Sequence, residues 1–352
     1  MSSTFAPIDR ELLRRLPKAE LHCHLDGSVR PATLLELARE YDTPMPRSDP
    51  QSLRDYMRAS DVGSLEAYLD RFAVTLSVMQ TAEALERVAY ELAEDAAADG
   101  VCYIEVRYAP ILNLRAGLSL GDVVEASLRG LARAERDHGT IGRVILCALR
   151  HLDPDISMEI AELATAYRTR GVVGFDLAGA EAAYPAAHHA RAFAYAHAHG
   201  LACTCHAGEG AGAESVREAV HVCGADRLGH AARLAEDASL TDYVGEHRIP
   251  LEICLTSNVQ TGAAPSYDHH PARQYFDHGL NVVLNTDNRL MSDTTLTDEY
   301  ALAAEKLGFT LDELCVIALN GFESAFLSLD ERHSLVERAR DRIAAWQATA
   351  RS

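Results

Sequence analysis

Short apolar runs rich in β-branched residues alternate along the chain with longer segments that have helical periodicity. Strands alternating with helices predict βαβ units and a parallel sheet. Eight such units fit a closed (β/α)8 barrel, although a doubly wound open sheet has the same alternation. The eight predicted strands are 19–26, 101–109, 142–150, 172–178, 201–207, 227–230, 249–255 and 281–285.

The ends of these predicted strands are rich in polar and ionisable residues. In a barrel all eight C-terminal strand ends meet on one face, and that face carries the active site. Ordinary loop starts explain some polar residues, but not this excess of His and Asp. The pattern therefore favours an α/β fold of the (β/α)8 TIM-barrel type over the open sheet. The residues are His24, Asp26, Glu105, Arg107, Arg150, His151, Asp176, His206, His230, Ser257, Asn258 and Asp287.

The interval 41–80 is too long for a simple βα loop, and its apolar residues have rough helical spacing. We predict extra helices here, laid over the C-terminal mouth as a lid that excludes water. Ordinary packing of an insertion against the barrel is the alternative. With this insertion, residues 1–352 are expected to form one barrel domain, since such barrels run from about 200 to over 400 residues.

Composition and charge narrow the classes of function. Hydrophobic residues make up 48% of the chain, which excludes global disorder, and 33 Lys and Arg against 52 Asp and Glu give a net charge of −19. That charge opposes binding to nucleic acid or anionic membranes. The eight scattered cysteines predict reduced thiols, with Cys203 and Cys205 as barrel packing. With no leader or long apolar segment recognised, we expect a cytoplasmic monomer that acts on a small molecule.

A His-x-His pair on the first predicted strand points to a metal. His22, His24 and Asp26 share one strand face because side chains alternate. Two imidazoles at that spacing can bind one ion, and a merely polar strand face is the alternative. Two further imidazoles and two carboxylates follow at or just after later strand ends, and a catalytic metal site needs such ligands and an open position for water. They are His206, Glu209, His230 and Asp287.

Six motifs in a fixed order cover nearly the whole chain. They are PKAELHCHLDG at 17–27, YIEVRYAP at 103–110, FDLAG at 175–179, HAGE at 206–209, SNVQTG at 257–262 and NTDN at 285–288. In these motifs the chain resembles the adenosine deaminase family of the amidohydrolase superfamily. The resemblance implies a zinc-bearing (β/α)8 barrel in which hydroxide attacks C6. Adenosine and 2′-deoxyadenosine would become inosine and 2′-deoxyinosine, with release of ammonia.

The resemblance also implies residue roles. The metal ligands, for one Zn²⁺ per subunit, would be His22, His24, His206 and Asp287. The catalytic residues would be Glu209, which protonates purine N1, with His230 and Asp287, which orient the attacking hydroxide. The substrate contacts would be Gly179 to N3, Asn288 to N7, and Asp26 with His24 to the ribose. Iron or manganese could occupy the same ligands.

Two positions depart from the family pattern. Asn288 stands where a second aspartate is frequent, and its amide N–H can donate to N7 without special protonation. Ala231 stands where glycine is common. A deaminase of adenine or aminodeoxyfutalosine, or a non-catalytic nucleoside-binding barrel, remains open. Histidines outside the motifs are expected to face solvent: His188, His189, His197, His199, His269 and His270.

Overall fold

The structure is a computed structural model that describes residues 8–59 and 65–350. Eight parallel strands form one sheet, with each strand paired to the next in chain order. All eight overlap the predicted runs. The strands are β1 Lys18–His24, β2 Val101–Tyr108, β3 Ile141–Leu149, β4 Val172–Ala178, β5 Ala202–Ala207, β6 Arg227–His230, β7 Leu251–Ile253 and β8 Val282–Leu284.

The first and last strands approach each other and bring the sheet close to closure. Just beyond β8, Asp287 forms a parallel bridge with Cys23. Its backbone N–H donates to the carbonyl of His22 at 2.9 Å, and its carbonyl accepts from the N–H of His24 at 2.7 Å. The predicted (β/α)8 TIM barrel is therefore confirmed, and the doubly wound alternative is wrong.

Helices occupy the crossovers between strands and follow the last one. The α-helices in the described ranges are α1 Arg10–Arg15, α2 Pro31–Glu40, α3 Pro50–Met57, α4 Leu65–Leu69, α5 Phe72–Leu76, α6 Ala82–Ala98, α7 Leu120–His138, α8 Pro154–Ala166, α9 Ala190–Ala198, α10 Ala213–His221, α11 Ala238–Glu246, α12 Leu255–Gln260, α13 Ala272–Asp277, α14 Leu296–Leu307, α15 Leu311–Glu323 and α16 Leu329–Ala350. Short 3₁₀ helices lie at Pro110–Asn113, Arg168–Arg170, Ala186–His189, Leu234–Glu236 and Tyr267–His269.

Local sequence sets the ends of these helices. Helix α7 begins with a capping box between Ser119 and Asp122 and ends at Gly139, whose φ of +80° suits a residue without Cβ. Helix α15 packs against both β1 and β8 and covers the seam between them. Gly321 permits that approach, because a Cβ there would lie only 3.2 Å from the Cβ of Ala19.

Three short helices, α3 to α5, fall within the interval 41–80, where extra helices were predicted. Residues 60–64 of that interval lie outside the described residues. None of the eight cysteines forms a disulfide bond, and Cys203 and Cys205 are buried in the core as predicted. Within the described ranges, no helix combines the length and apolarity needed to cross a membrane.

Candidate active site

Four strand ends bring a compact group of ligand atoms together at the C-terminal mouth. One ligand atom from each of His22, His206, His230 and Asp287 lies within 4.8 Å of the others, and all four residues are buried. His24 joins this group from β1. Its Nε2 lies 3.1 Å from His206 Nε2 and 3.4 Å from Asp287 Oδ1. The predicted ligands therefore meet in one place.

The hydrogen bonds within this group leave room for a divalent metal ion as a partner. His22 Nε2 is buried and, among the described residues, has no hydrogen-bond partner, although it lies 3.3 Å from Asp287 Oδ1. Burying a polar nitrogen without a partner costs free energy, and a bound cation would be the partner that this nitrogen lacks. Three imidazoles with one carboxylate also match the donor set of catalytic metal sites.

Carboxylates behind two of the imidazoles orient the rings. Glu252 Oε2 lies 2.9 Å from His22 Nδ1, and Asp176 Oδ1 lies 3.2 Å from His206 Nδ1. Because an ionised carboxylate can only accept, each Nδ1 carries the ring proton and each Nε2 lone pair faces the centre. On the other side, the Ser257 hydroxyl donates to Asp287 Oδ2 at 2.6 Å.

A buried ion network lies beneath these ligands. Arg107 contacts Asp176 Oδ2 at 3.2 Å and Glu252 Oε2 at 2.8 Å, while Arg227 bridges Glu252 and Glu105. Burial alone would raise the pKa of Glu252, but the two guanidinium groups outweigh it and hold that pKa well below its usual value. With Asp287 the cluster has four carboxylates and two guanidinium groups. The two excess negative charges again fit a divalent cation.

Burial and neighbouring charge also shift the pKa values of side chains within this group. Burial would raise the pKa of Asp287, but the histidines around it, His22 first, hold that pKa well below the usual range. Burial lowers the pKa of both His24 and His230. The carboxylate is therefore ionised and these imidazoles are neutral, which is the protonation state that metal binding requires.

The chain adopts left-handed backbone at two of these strand ends. The φ angles are +63° at His230, +49° at Ala231 and +60° at Asp287. Such conformations cost about 1–3 kcal/mol for residues with a Cβ and cluster at functional sites. The frequent glycine at the position of Ala231 has a physical explanation, because glycine adopts a positive φ without that cost.

Glu209 enters the site from the turn after β5. The Glu181 carboxylate anchors that turn by accepting the backbone N–H groups of Gly208, Glu209 and Gly210 at 2.6, 2.9 and 2.6 Å. Glu209 Oε2 lies 3.5 Å from His230 Nε2. Burial, reinforced by the negative charges of Asp287 and Glu181, raises the pKa of Glu209 well above its usual value. The site therefore favours the protonated form of Glu209, which is the form that can act as an acid.

A small cavity separates these groups from helices α4 and α5. Its volume is about 40 Å³, well below the roughly 300–1,000 Å³ of typical ligand pockets. Gly179, at the end of β4, lines it with a φ of +104°, which favours glycine. The lining residues are His24, Leu65, Tyr68, Leu69, Phe72, Ala178, Gly179, His206, Glu209, His230, Asp287 and Asn288.

Two predicted substrate contacts differ in position. Asn288 lines the cavity, and its Oδ1 is buried without a hydrogen-bond partner among the described residues. Gly27 makes room for this side chain, since a Cβ there would lie 1.6 Å from Asn288 Oδ1. Asp26 is also buried, with Oδ1 likewise unpartnered in the described part of the chain. Asp26 does not, however, line the cavity.

Sequence reasoning misplaced two histidines and missed one carboxylate. His189 and His270 were expected in solvent, but both are buried, with exposures of 1% and 4%. His189 bonds to Ser157 and to the carbonyl of Arg150, and these partners explain why it can be buried. Glu252 was passed over, although a single charged residue within the apolar run 249–255 is a detectable signal.

Comparisons with known proteins agree with this geometry. The profile of the family described as adenosine deaminase matches residues 17–342. An adenosine deaminase of Mycobacteroides abscessus is 46% identical over 94% of this chain and 96% of its own. A zinc-bound amidohydrolase of Burkholderia ambifaria has a TM-score of 0.90 at 28% identity, covering 99% of this chain and 97% of its own. An adenine deaminase of Arthrobacter aurescens has a TM-score of 0.87 at 27% identity, and the match covers 97% of this chain and 100% of its own. The chain belongs to the adenosine deaminase family.

Proposed function

We propose that this enzyme deaminates adenosine and 2′-deoxyadenosine by hydrolysis, giving inosine and 2′-deoxyinosine with ammonia. The observation that carries the proposal is the pairing of a candidate metal-ligand cluster with the buried carboxyl group of Glu209. Its carboxyl lies 3.5 Å from His230 Nε2 and lines the same cavity as Asp287. Addition of hydroxide to C6 of a purine requires a nucleophile on one side and an acid for N1 on the other. This site contains residues suited to both tasks.

We assign one Zn²⁺ per subunit to His22, His24, His206 and Asp287. Zinc in such a site lowers the pKa of water to about 7 and thereby supplies a nucleophile at neutral pH. The choice of zinc is supported by the three-imidazole, one-carboxylate donor set and by the zinc bound in the amidohydrolase of similar structure. Metal analysis of the purified protein tests it, and iron or manganese at one equivalent would contradict it.

The remaining residues position the purine and move its protons. Glu209 gives its proton to N1 as the ring accepts electrons from the attack at C6. His230 and Asp287 orient the nucleophilic oxygen from the opposite side. The backbone N–H of Gly179 binds N3, supported by its place in the cavity wall. The Asn288 amide donates to N7 through its Nδ2–H group, supported by the place of Asn288 in the cavity wall.

Asp26 and His24 are assigned to the ribose, and this assignment separates adenosine from free adenine. His24 lines the cavity but Asp26 does not, so the ribose would need space beyond the present cavity. Adenine is therefore the second candidate substrate. Adenine would need less additional space than a nucleoside, and an adenine deaminase has a similar structure.

We further propose that the chain is a single barrel domain with a movable cover. Leu65, Tyr68, Leu69 and Phe72 on helices α4 and α5 cover the cavity. Because a cavity of about 40 Å³ is too small for a nucleoside, substrate can enter only when these side chains move. Helices α4 and α5, in the second half of the interval 41–80, therefore support the predicted lid.

Absorbance change near the adenosine maximum tests the function. Zinc-loaded protein would be given adenosine, 2′-deoxyadenosine, adenine, AMP and a nucleoside with an enlarged 5′ substituent. We expect fast loss of adenosine and 2′-deoxyadenosine. Turnover of adenine alone would support the second candidate, and a fully inert panel would contradict both. Glu209→Gln is the matched variant, expected to retain zinc and lose most turnover, because an amide cannot supply the proton.

A further inference from the structure

Two buried side chains stand behind His230 without any role in the reaction assigned so far. Asn258 Nδ2 lies 2.9 Å from His230 Nδ1, and His270 Nε2 lies 3.0 Å from Asn258 Oδ1. The backbone nitrogen of Ala272 lies 3.1 Å from His270 Nδ1. The three side chains are buried, with exposures of 4% or less. They form a continuous chain of hydrogen bonds that ends at the active site.

The backbone amide of Ala272 determines the direction of this chain, because an N–H group can only donate. Ala272 is the first residue of α13 and follows Pro271, so its N–H has no acceptor within the helix. It donates to His270 Nδ1, which must therefore lack a proton. Burial lowers the pKa of His270 to about 3, so its ring is neutral and its one proton sits on Nε2.

The direction of each remaining hydrogen bond follows from the direction of the one before it. The Nε2–H of His270 donates to Asn258, which identifies the amide oxygen as the atom facing His270. The amide nitrogen of Asn258 therefore faces His230 and donates to its Nδ1. A neutral imidazole that accepts at Nδ1 carries its proton on Nε2. His230 thus presents an N–H group on the side where Nε2 lies 3.5 Å from Glu209.

This tautomer is the opposite of that in two neighbouring rings. His22 and His206 each have a carboxylate at Nδ1, so their protons are on Nδ1 and their Nε2 lone pairs are free for a metal. His230 lies in the same cluster by distance, yet its Nε2 carries the proton. The partner at Nδ1 therefore separates two metal ligands from one hydrogen-bond donor.

We propose that Asn258 and His270 are positioning residues that hold His230 as an Nε2–H donor towards the oxygen that adds to C6. The inference rests on the proposed function, because the oxygen is defined by that reaction. A donor held in place before the reaction stabilises charge on this oxygen without reorganisation, and loss of one such donor lowers kcat by about 10²–10³. Asn258 and His270 act only through His230.

An isosteric substitution tests the chain of bonds. In Asn258→Asp the carboxylate accepts from both rings, so a neutral His230 carries its proton on Nδ1 and loses its donor at Nε2. We expect kcat for adenosine to fall by about 100-fold or more, while KM and zinc content stay near wild type. Wild-type kcat in zinc-loaded Asn258→Asp would overturn the inference.

A pair of substitutions at His270 separates positioning from packing. His270→Leu removes the donor to Asn258 and frees the amide to rotate, so kcat should fall about tenfold or more. His270→Gln keeps an N–H donor and should recover most of that loss. His269→Leu is the matched control, since His269 is the exposed neighbour and the substitution is the same. Equal losses in the Leu and Gln variants at His270 would contradict the proposed role.

The tautomer itself can be observed without turnover. In zinc-loaded protein with ¹⁵N-labelled histidine, the His230 signal is the one absent from a His230→Gln sample. We expect long-range ¹H–¹⁵N spectra to show the proton on Nε2 in wild type and on Nδ1 in Asn258→Asp. A proton on Nδ1 in wild type would overturn the inference even if the enzyme is active. An inert wild type with the Nε2 proton would instead overturn the proposed function, and the tautomer assignment would stand.

Discussion

Glu252 connects the candidate metal centre to the charges beneath it, and Glu252→Gln breaks this connection with little change in shape. Its carboxylate accepts from His22 Nδ1 at 2.9 Å and pairs with Arg107 at 2.8 Å and Arg227 at 2.7 Å. A glutamine has one acceptor oxygen and no charge. It therefore leaves at least one buried cation with a weaker partner, and its NH₂ group cannot accept the His22 proton.

The structure predicts two separate losses. Loss of the carboxylate behind a metal-binding histidine lowers metal affinity by about 10–100-fold, or roughly 1.4–2.7 kcal/mol. Removing one partner of a buried ion pair costs about 3–5 kcal/mol in the free energy of unfolding. The full range applies here because Glu252, Arg107 and Arg227 have at most 1% of their side chains exposed. The second loss should appear in metal-free protein.

Two assays measure these losses independently. Competition with a chromophoric chelator gives the zinc affinity, and urea unfolding of chelator-treated protein gives the free energy of unfolding. Glu246→Gln makes the same chemical change at an exposed position and should alter neither quantity by more than about 0.5 kcal/mol. Unchanged zinc affinity in Glu252→Gln, with stability reduced, would refute the role of Glu252 in orienting His22. No change in either would refute the account of the buried network.

Three further predictions concern pH, backbone and metal. Burial raises the pKa of Glu299 from 4.5 to about 7, so the folded state binds a proton that the unfolded state releases above pH 4.5. The unfolding free energy of wild type should therefore fall by about 3 kcal/mol between pH 4.5 and 7, relative to that of Glu299→Gln. Urea unfolding at several pH values measures both proteins, and the same pH dependence in the two would contradict this. Gly179→Ala should lose about 1–3 kcal/mol in urea unfolding and raise KM, because φ is +104° and the residue lines the cavity; unchanged KM would argue against the N3 contact. Zinc at 100 times its Kd should raise the unfolding free energy by about 2.7 kcal/mol over chelated protein, and equal thermal melts would argue against a metal site.

The barrel could be predicted because hydrophobic periodicity and element order are local signals. All eight strand predictions overlap observed strands, and those at 172–178 and 227–230 have the observed bounds. The predicted strand at 249–255 is longer than β7, which covers only Leu251–Ile253. Its apolar run continues into α12, whose first residue is Leu255. Composition alone does not mark the change from strand to helix.

The candidate ligands could be predicted because their residue types are rare at strand ends. Glu252 shows where such reasoning stops, since nothing local tells that its partners are a histidine on β1 and arginines on β2 and β6. Backbone strain cannot be predicted from the sequence either. The positive φ angles at His230 and Asp287 depend on how the barrel closes around them.

His206 and His230 present the hardest case for sequence reasoning, because both are histidines at the ends of neighbouring strands. Their chemical difference lies in the atom that faces Nδ1: a carboxylate of Asp176 in one case and the amide of Asn258 in the other. Sequence spacing carries no information on hydrogen-bond direction, which here begins at the backbone amide of Ala272. A histidine motif therefore predicts a site at this mouth, whereas the proposed division of its imidazoles into ligands and donors depends on hydrogen bonds that exist only in the folded chain.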